Sequence, residues 1–230
     1  MLPYYYSVSE YLKDTYGKKL YKLSLSGNMT CPNRDGFLDT RGCIFCSGHG
    51  SGDFAVKDID KAKTLVSNKY SGSEYIAYFQ SFTNTYADAQ YLRELFMPVI
   101  LRDDIRILSI ATRPDCLDKD VLDYLEELNK KTYLWVELGL QTINDNTARN
   151  FNRGYDLVVF DKSIKELQKR GLLTADGKVN VDGRNFIIFY VGDYDASAWI
   201  SQRTPSIWDD PNRGKLPLMW CISPVLAERV

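Results

Sequence analysis

Three cysteines stand at a spacing suited to iron: Cys31, eleven residues, Cys43, two residues, Cys46, all within TCPNRDGFLDTRGCIFCSGHGSGDF. Thiolates are the usual ligands of iron–sulfur clusters, and three of them in one loop can hold three corners of a cubane [4Fe-4S] cluster while the fourth iron stays open. Gly42, Gly48, Gly50 and Gly52 suit a backbone that turns tightly around a cluster and presents N–H groups to sulfur. Two other readings stay open on spacing alone. The CxxC pair is half of a zinc site if a fourth Cys or His joins it, and the candidates are remote Cys116 and Cys221 or His49. A thioredoxin-like dithiol would place the CxxC at a helix start and leave Cys31 without a role. His49 is the single histidine, which removes multi-histidine metal sites and, unless His49 itself serves, Ser-His-Asp and Cys-His triads. Cys116 and Cys221 read as small buried hydrophobes.

The elements that must carry this loop alternate. Residues 19–25 alternate in polarity as a strand does, and Gly27 and Asn28 then break the pattern just ahead of the loop. A helical pattern over 58–69 precedes a short apolar strand over 75–79. A helix from about Asp88 places Leu92, Leu95, Phe96 and Val99 on one face, with Pro98 a source of a kink. A strand over 106–111 follows, then a helix capped by Asp118 with Val121, Leu122, Leu125 and Leu128 as its stripe. Residues 133–140 form a fourth strand rich in β-branched and aromatic residues. A last helix is marked by Phe160, Ile164 and Leu167 and ends near Gly171. Four βα units in series predict an α/β fold: a partial (β/α) barrel of TIM type, truncated after about four units, with its functional loops at the strand C-terminal ends.

The chain of 230 residues, 44% hydrophobic, is long enough to bury a proper core. Its formal net charge of -1 creates no global field toward nucleic acid or an anionic membrane. No apolar run approaches the roughly 20 residues that span a bilayer, and residues 1–16 mix tyrosines with both charge signs where a secretory leader would be basic and then apolar. The odd count of five cysteines, three of them crowded in one loop, fits a reducing compartment. The expectation is a cytoplasmic protein with no membrane partner.

Beyond the loop, a set of stretches appears in fixed order: YLKDTYGKKLYKLSL, TCPNRDG, GCIFC, GSGDF, YIAYFQSFTNTYA, SIATRPDCL, YLWVELGLQTIND and NRGYD. Over about residues 4–171 they resemble radical S-adenosylmethionine (SAM) proteins of the YhcC type, which are related to Elongator-type and oxygen-independent coproporphyrinogen oxidase enzymes. The resemblance implies a partial TIM barrel with a [4Fe-4S] cluster after the first strand and SAM on its open iron. It implies reductive cleavage of SAM to a 5′-deoxyadenosyl radical, driven by a reductant such as flavodoxin or ferredoxin, on a substrate it does not identify. Residue by residue, it makes Cys31, Cys43 and Cys46 the cluster ligands and Phe45 the adenine-side residue. Gln80 stands where relatives meet the SAM amino group, with residues 83–85 beside it. Thr112 and Arg113 end the third strand, Glu137 and Gln141 project from the fourth, and Arg153 is placed to pair with the SAM carboxylate; an ordinary ion pair between Glu137 and Arg153 is the simpler alternative. Tyr155 departs from the histidine usual at its position.

After Gly171 the likeness stops. GLLTADGKVNVDGRNFIIFYVGDYDASAW and WDDPNRGKLPLMW resemble a fragment of the GxGYxYP family of glycoside-hydrolase-like proteins, so the sequence divides into a radical SAM core over 1–171 and an atypical segment over 172–230, a possible fusion. Asp193, Asp195, Asp209 and Asp210 invite a carboxylate-pair reading, but so short a segment supplies no sugar-binding domain, and aspartates in turn-rich sequence serve more often as caps. Residues 185–191 and 216–222 are candidate fifth and sixth strands that would cover an exposed sheet edge. The rival activity is tRNA modification of the Elongator type; nucleic acid is possible but not favoured as a partner, since phosphate contacts need clustered Lys and Arg. The rivals outside catalysis are a zinc-binding structural module and an inactive fusion.

Overall fold

The computed structural model describes residues 8–50 and 52–172. The readings placed on residues 173–230, including the two extra strands and the four aspartates, lie outside the described residues. In order, the elements are α1 (Val8–Tyr16), β1 (Tyr21–Leu25), α2 (Ile59–Val66), β2 (Tyr75–Phe79), α3 (Ala89–Ile100), β3 (Ile105–Thr112), a single 3-10 turn (Pro114–Cys116), α4 (Lys119–Asn129), β4 (Tyr133–Leu138), α5 (Asp145–Asn150) and α6 (Leu157–Lys169). The strands form one sheet in the order β1-β2-β3-β4, and every pairing is parallel. Sequential parallel neighbours joined by helices are the βα series that the sequence predicts.

Capping fixes where the helices begin. Asp58, Asp88, Asp118, Asn144 and Asp156 each stand in extended conformation ahead of α2, α3, α4, α5 and α6, and each side chain accepts from the backbone N–H three residues on. A carboxylate or amide there satisfies a donor that the first helical turn leaves orphaned. Pro98 is accommodated within α3.

The two faces of the sheet differ in chemistry. Leu23, Leu25, Ala77, Phe79, Leu108 and Ile110 pack with Leu92, Phe96, Val121, Leu125 and Leu128 from α3 and α4 into the main core. Alternation along a strand sends the intervening residues to the other face, where the register aligns Ser24 with Tyr78, Tyr78 with Ser109, and Ser109 with Trp135. A register shift near Tyr75 accommodates exposed Arg106, which binds Glu74 at 2.8 Å.

Behind the N-terminal ends of the strands, Asp104 accepts from Lys63 at 2.7 Å and from Arg102 at 2.9 Å, and Asp60 joins the same group through Arg102 at 2.8 Å. Arg102, then Lys63, hold the Asp104 carboxyl down at about 2. A depressed carboxylate stabilises the fold above its unfolded value and loses that contribution as pH falls through the folded one. Between pH 4 and pH 2 the pairing of Asp104 is therefore expected to give up at most about 1 kcal/mol, the scale of an exposed ion pair, and Asp104→Asn should flatten that part of a urea-midpoint profile against pH. In the core, Leu108 is fully buried, and Leu108→Ala should cost about 2–5 kcal/mol in equilibrium denaturation.

Candidate cluster and cofactor site

The cysteine loop leaves β1 at Leu25 and is fastened at both ends. Ser26 N–H donates to Val56 O and Val56 N–H to Ser24 O, which returns the loop to the strand it left. Thr83 N–H donates to Thr30 O, and Ile44 N–H to Phe151 O. The loop thus lies across the C-terminal ends of the strands, where parallel α/β sheets place their sites.

Within it, Cys31, Cys43 and Cys46 are half-buried free thiols. The Cys43 thiol donates to Asn152 O (3.3 Å), Cys46 N–H donates to Cys43 O (3.1 Å), and the Cys43 and Cys46 thiols lie close enough to shift each other's titration. The Cys46 thiol holds Cys43 down at about 6, aided by Asn33, Arg113 and Arg34. Cys46 is pushed up by the Cys43 thiol beside it and by burial. Among the described residues, no group of three or more His, Cys, Asp or Glu side chains gathers as a single metal ion requires. A cubane cluster sets a different demand, because its thiolates sit on separate corners.

The donors around the sulfurs fit that larger group. Asn33, fully buried, points Nδ2 at Cys43 Sγ (3.5 Å) while donating to Asn152 O (2.6 Å) and Arg153 O (3.1 Å). Arg34 donates to Cys46 O (3.2 Å) and Ser47 O (2.6 Å), with Gly42, at φ +75°, leaving its guanidinium room. Arg113 Nη1 lies 3.7 Å from Cys31 Sγ. Each cysteine has a nearby amide or guanidinium, the arrangement that stabilises thiolates on a metal. Buried Asn33 Oδ1 has no hydrogen-bond partner.

The other expected residues are spread over three environments. Phe45 is about half exposed, edge-on to Phe151 at 5.2 Å. Gln80 N–H continues the sheet pattern to Leu25 O. Thr112 turns to the helix side, its hydroxyl 2.5 Å from that of Thr85, which donates to Cys116 O. Glu137 faces the opposite side of the sheet and accepts from Lys22 (2.9 Å), Ser109 (2.9 Å) and Tyr78 (3.1 Å), so each of the four strands contributes one polar group. Gln141 takes a left-handed backbone at φ +57° and receives Tyr155 OH.

Arg153 is 1% exposed. It donates to Tyr155 O (2.8 Å), Leu140 O (2.9 Å), Thr142 O (2.6 Å) and Asp145 (3.0 Å). Its carboxylate partner is thus Asp145, and the Glu137–Arg153 pair does not form. The Tyr155 ring lies 4.5 Å from the guanidinium carbon of Arg153 and 5.0 Å from that of Arg113, its hydroxyl on Gly139 O. A cleft of about 530 Å3 opens beside the loop, lined by Pro32, Phe37, Leu38, Cys116, Tyr155 and Val159 among others; Gln80, Thr112, Glu137 and Gln141 are not in its wall. Sequence reasoning missed Asn33 and Arg34, although both sit between the first two cysteines in CPNRDG; the one available signal was a set of N–H donors in a loop already assigned to thiolates.

A parallel βα sheet with such a loop at its strand ends defines a class, and comparison with known proteins agrees. Residues 40–186 match the Radical SAM superfamily, and the chain belongs to it. Residues 183–230 match the GxGYxYP putative glycoside hydrolase C-terminal domain. Among curated proteins, the chain is 44% identical over 183 residues to the uncharacterized protein YtqA of Bacillus subtilis, covering 76% of this chain and 57% of that protein. It is 38% identical over 161 residues to YhcC of Escherichia coli (68% and 52%) and 33% identical over 171 residues to MJ0486 of Methanocaldococcus jannaschii (70% and 52%). The chain spans little more than half the length of these relatives. No helix among the described residues is long and apolar enough to cross a membrane.

Gly154 ties the last turn to the loop: at φ +83°, a Cβ there would lie 2.3 Å from Asn33 Oδ1. Gly154→Ala is expected to cost about 1–3 kcal/mol from backbone strain alone and to displace Asn33 from Cys43. Equilibrium unfolding reads the first effect, and faster loss of reconstituted iron to a chelator reads the second.

Proposed function

We propose that this chain binds a [4Fe-4S] cluster through Cys31, Cys43 and Cys46, binds SAM against that cluster, and cleaves SAM reductively in order to act on a further substrate. The observation that carries this reading is the loop itself: three half-buried thiols at the end of β1, each attended by Asn33, Arg34 or Arg113, in a chain of the radical SAM superfamily.

A cluster held by Cys31, Cys43 and Cys46 would supply the one-electron reduction of SAM's sulfonium that radical chemistry of this class needs. The chain's own residues hold, orient and shield. Asn33 and Arg34 brace the CxxC segment, Arg113 sets a positive charge beside Cys31, and Phe45 offers an exposed ring near the paired cysteines for the adenine. Gln80, Glu137 and Gln141 stay candidates for SAM contact, whereas Thr112, buried on the helix side against Thr85, would first have to leave that partner. Arg153 commits four N–H groups to the chain's own acceptors and in the arrangement described fixes the turn after β4. The electron must come from a one-electron carrier of the flavodoxin or ferredoxin kind.

Anaerobic reconstitution with iron and sulfide tests the reading. The expected result is about four irons per chain, as a [4Fe-4S] cluster requires, with visible absorption to match and 5′-deoxyadenosine formed from SAM on reduction. The Cys31, Cys43 and Cys46 triple alanine variant should retain none of these. Iron-free wild-type protein that is folded, or equal iron in wild type and variant, would rule the reading out.

A further inference from the structure

Arg113 follows β3 in the stretch ATRPDC and is nine-tenths buried. Burial of a guanidinium is costly unless its N–H groups are matched, and here three kinds of partner match them. Asp115 takes the Nε and Nη2 edge in a two-point pair, at 2.9 and 2.7 Å. The Tyr155 ring lies 5.0 Å from the guanidinium carbon. Nη1 is left aimed at Cys31 Sγ, 3.7 Å away. Burial works against the charge, but Asp115, Cys31 and Cys116 outweigh it, and Arg113 stays a cation.

The geometry has a direction. The carboxylate of Asp115 lies along one edge of the plane and the sulfur of Cys31 lies beyond another nitrogen, so the pair presents its positive end to the thiolate. Asp115 and Tyr155 fix that orientation from the protein side. The donor to the Cys31 sulfur comes from outside its loop: Asn33, within the loop, points at Cys43 Sγ, whereas the group aimed at Cys31 Sγ follows β3, 82 residues away in sequence.

Resting on the cluster reading above, we infer that Arg113 is a positioning and tuning residue for that cluster: acting through Cys31, it holds the thiolate in place and raises the cluster's reduction potential. Reduction adds negative charge to the cluster, and a buried cation beside one of its sulfurs favours the reduced state more than the oxidised one. Removing that cation lowers the potential. A residue that only braced the loop would leave the potential alone.

The experiment compares wild type, Arg113→Gln and Arg113→Lys after anaerobic reconstitution in the absence of SAM, with iron content and a redox titration followed by electron paramagnetic resonance. In Arg113→Gln the reduced-to-oxidised ratio at a fixed potential is expected to fall about tenfold, which is ~59 mV for a one-electron couple. Arg113→Lys keeps the charge and should stay with the wild type. Loss of iron from the Gln variant, with iron and potential retained by the Lys variant, also supports a requirement for charge. Wild-type potential in a fully loaded Gln variant overturns the inference, as does equal loss of iron from both variants. Iron-free wild type overturns the cluster reading and this inference with it, whereas a loaded wild type with indifferent variants overturns this inference alone.

Discussion

A guanidinium with almost no access to water has to be satisfied by the protein, and the demand made by Arg153 organises the end of the sheet where the cysteine loop lies. Its four acceptors are spread over residues 140–155, so one side chain draws the chain after β4, the start of α5 and the turn before α6 into a compact knot. Desolvation makes the arrangement all or nothing: an unmatched donor in so dry a place costs more than the bond it replaces gains in water.

The cysteine loop is then built against that knot. Asn33 reaches the carbonyls of Asn152 and Arg153, Asn152 Nδ2 returns to Gly42 O and Asp39, and Ile44 N–H meets Phe151 O. A long loop with little secondary structure of its own pays for its order by borrowing partners from a rigid neighbour. Asn152 and Gly154 both take positive φ beside Arg153, and the reversals aim successive carbonyls inward at Asn33. Three thiols over a hundred residues from this turn depend on it for their placement.

Much of the architecture is legible in the sequence because the core strands are short apolar runs between turn signals. The strand read at 75–79 is β2 itself, and the helices announced by Asp58, Asp88 and Asp118 begin one residue later. Short α5 escapes that kind of reading: in DNTARN only Ala148 is buried, so no apolar stripe marks it, and its cap and its tie to Arg153 do the work that a stripe does elsewhere. The fourth strand reads to residue 140 but ends at Leu138, since Gly139 and left-handed Gln141 turn the chain into the Arg153 knot. The thiols are plain from their chemistry. Their neighbours are not, because Arg113 meets Cys31, and Glu137 meets Lys22, only after four strands have been laid side by side.

The sheet's division into an apolar face and a polar one carries an evolutionary consequence. Leu108 and Ile110 answer to the packing of α3 and α4, and change there is penalised in every descendant whatever its chemistry. Lys22, Tyr78, Ser109 and Glu137 answer chiefly to one another. A change in such a group leaves the scaffold's margin above the threshold for folding largely in place, so what constrains that face in descendants is the chemistry it serves, while the apolar face answers to packing.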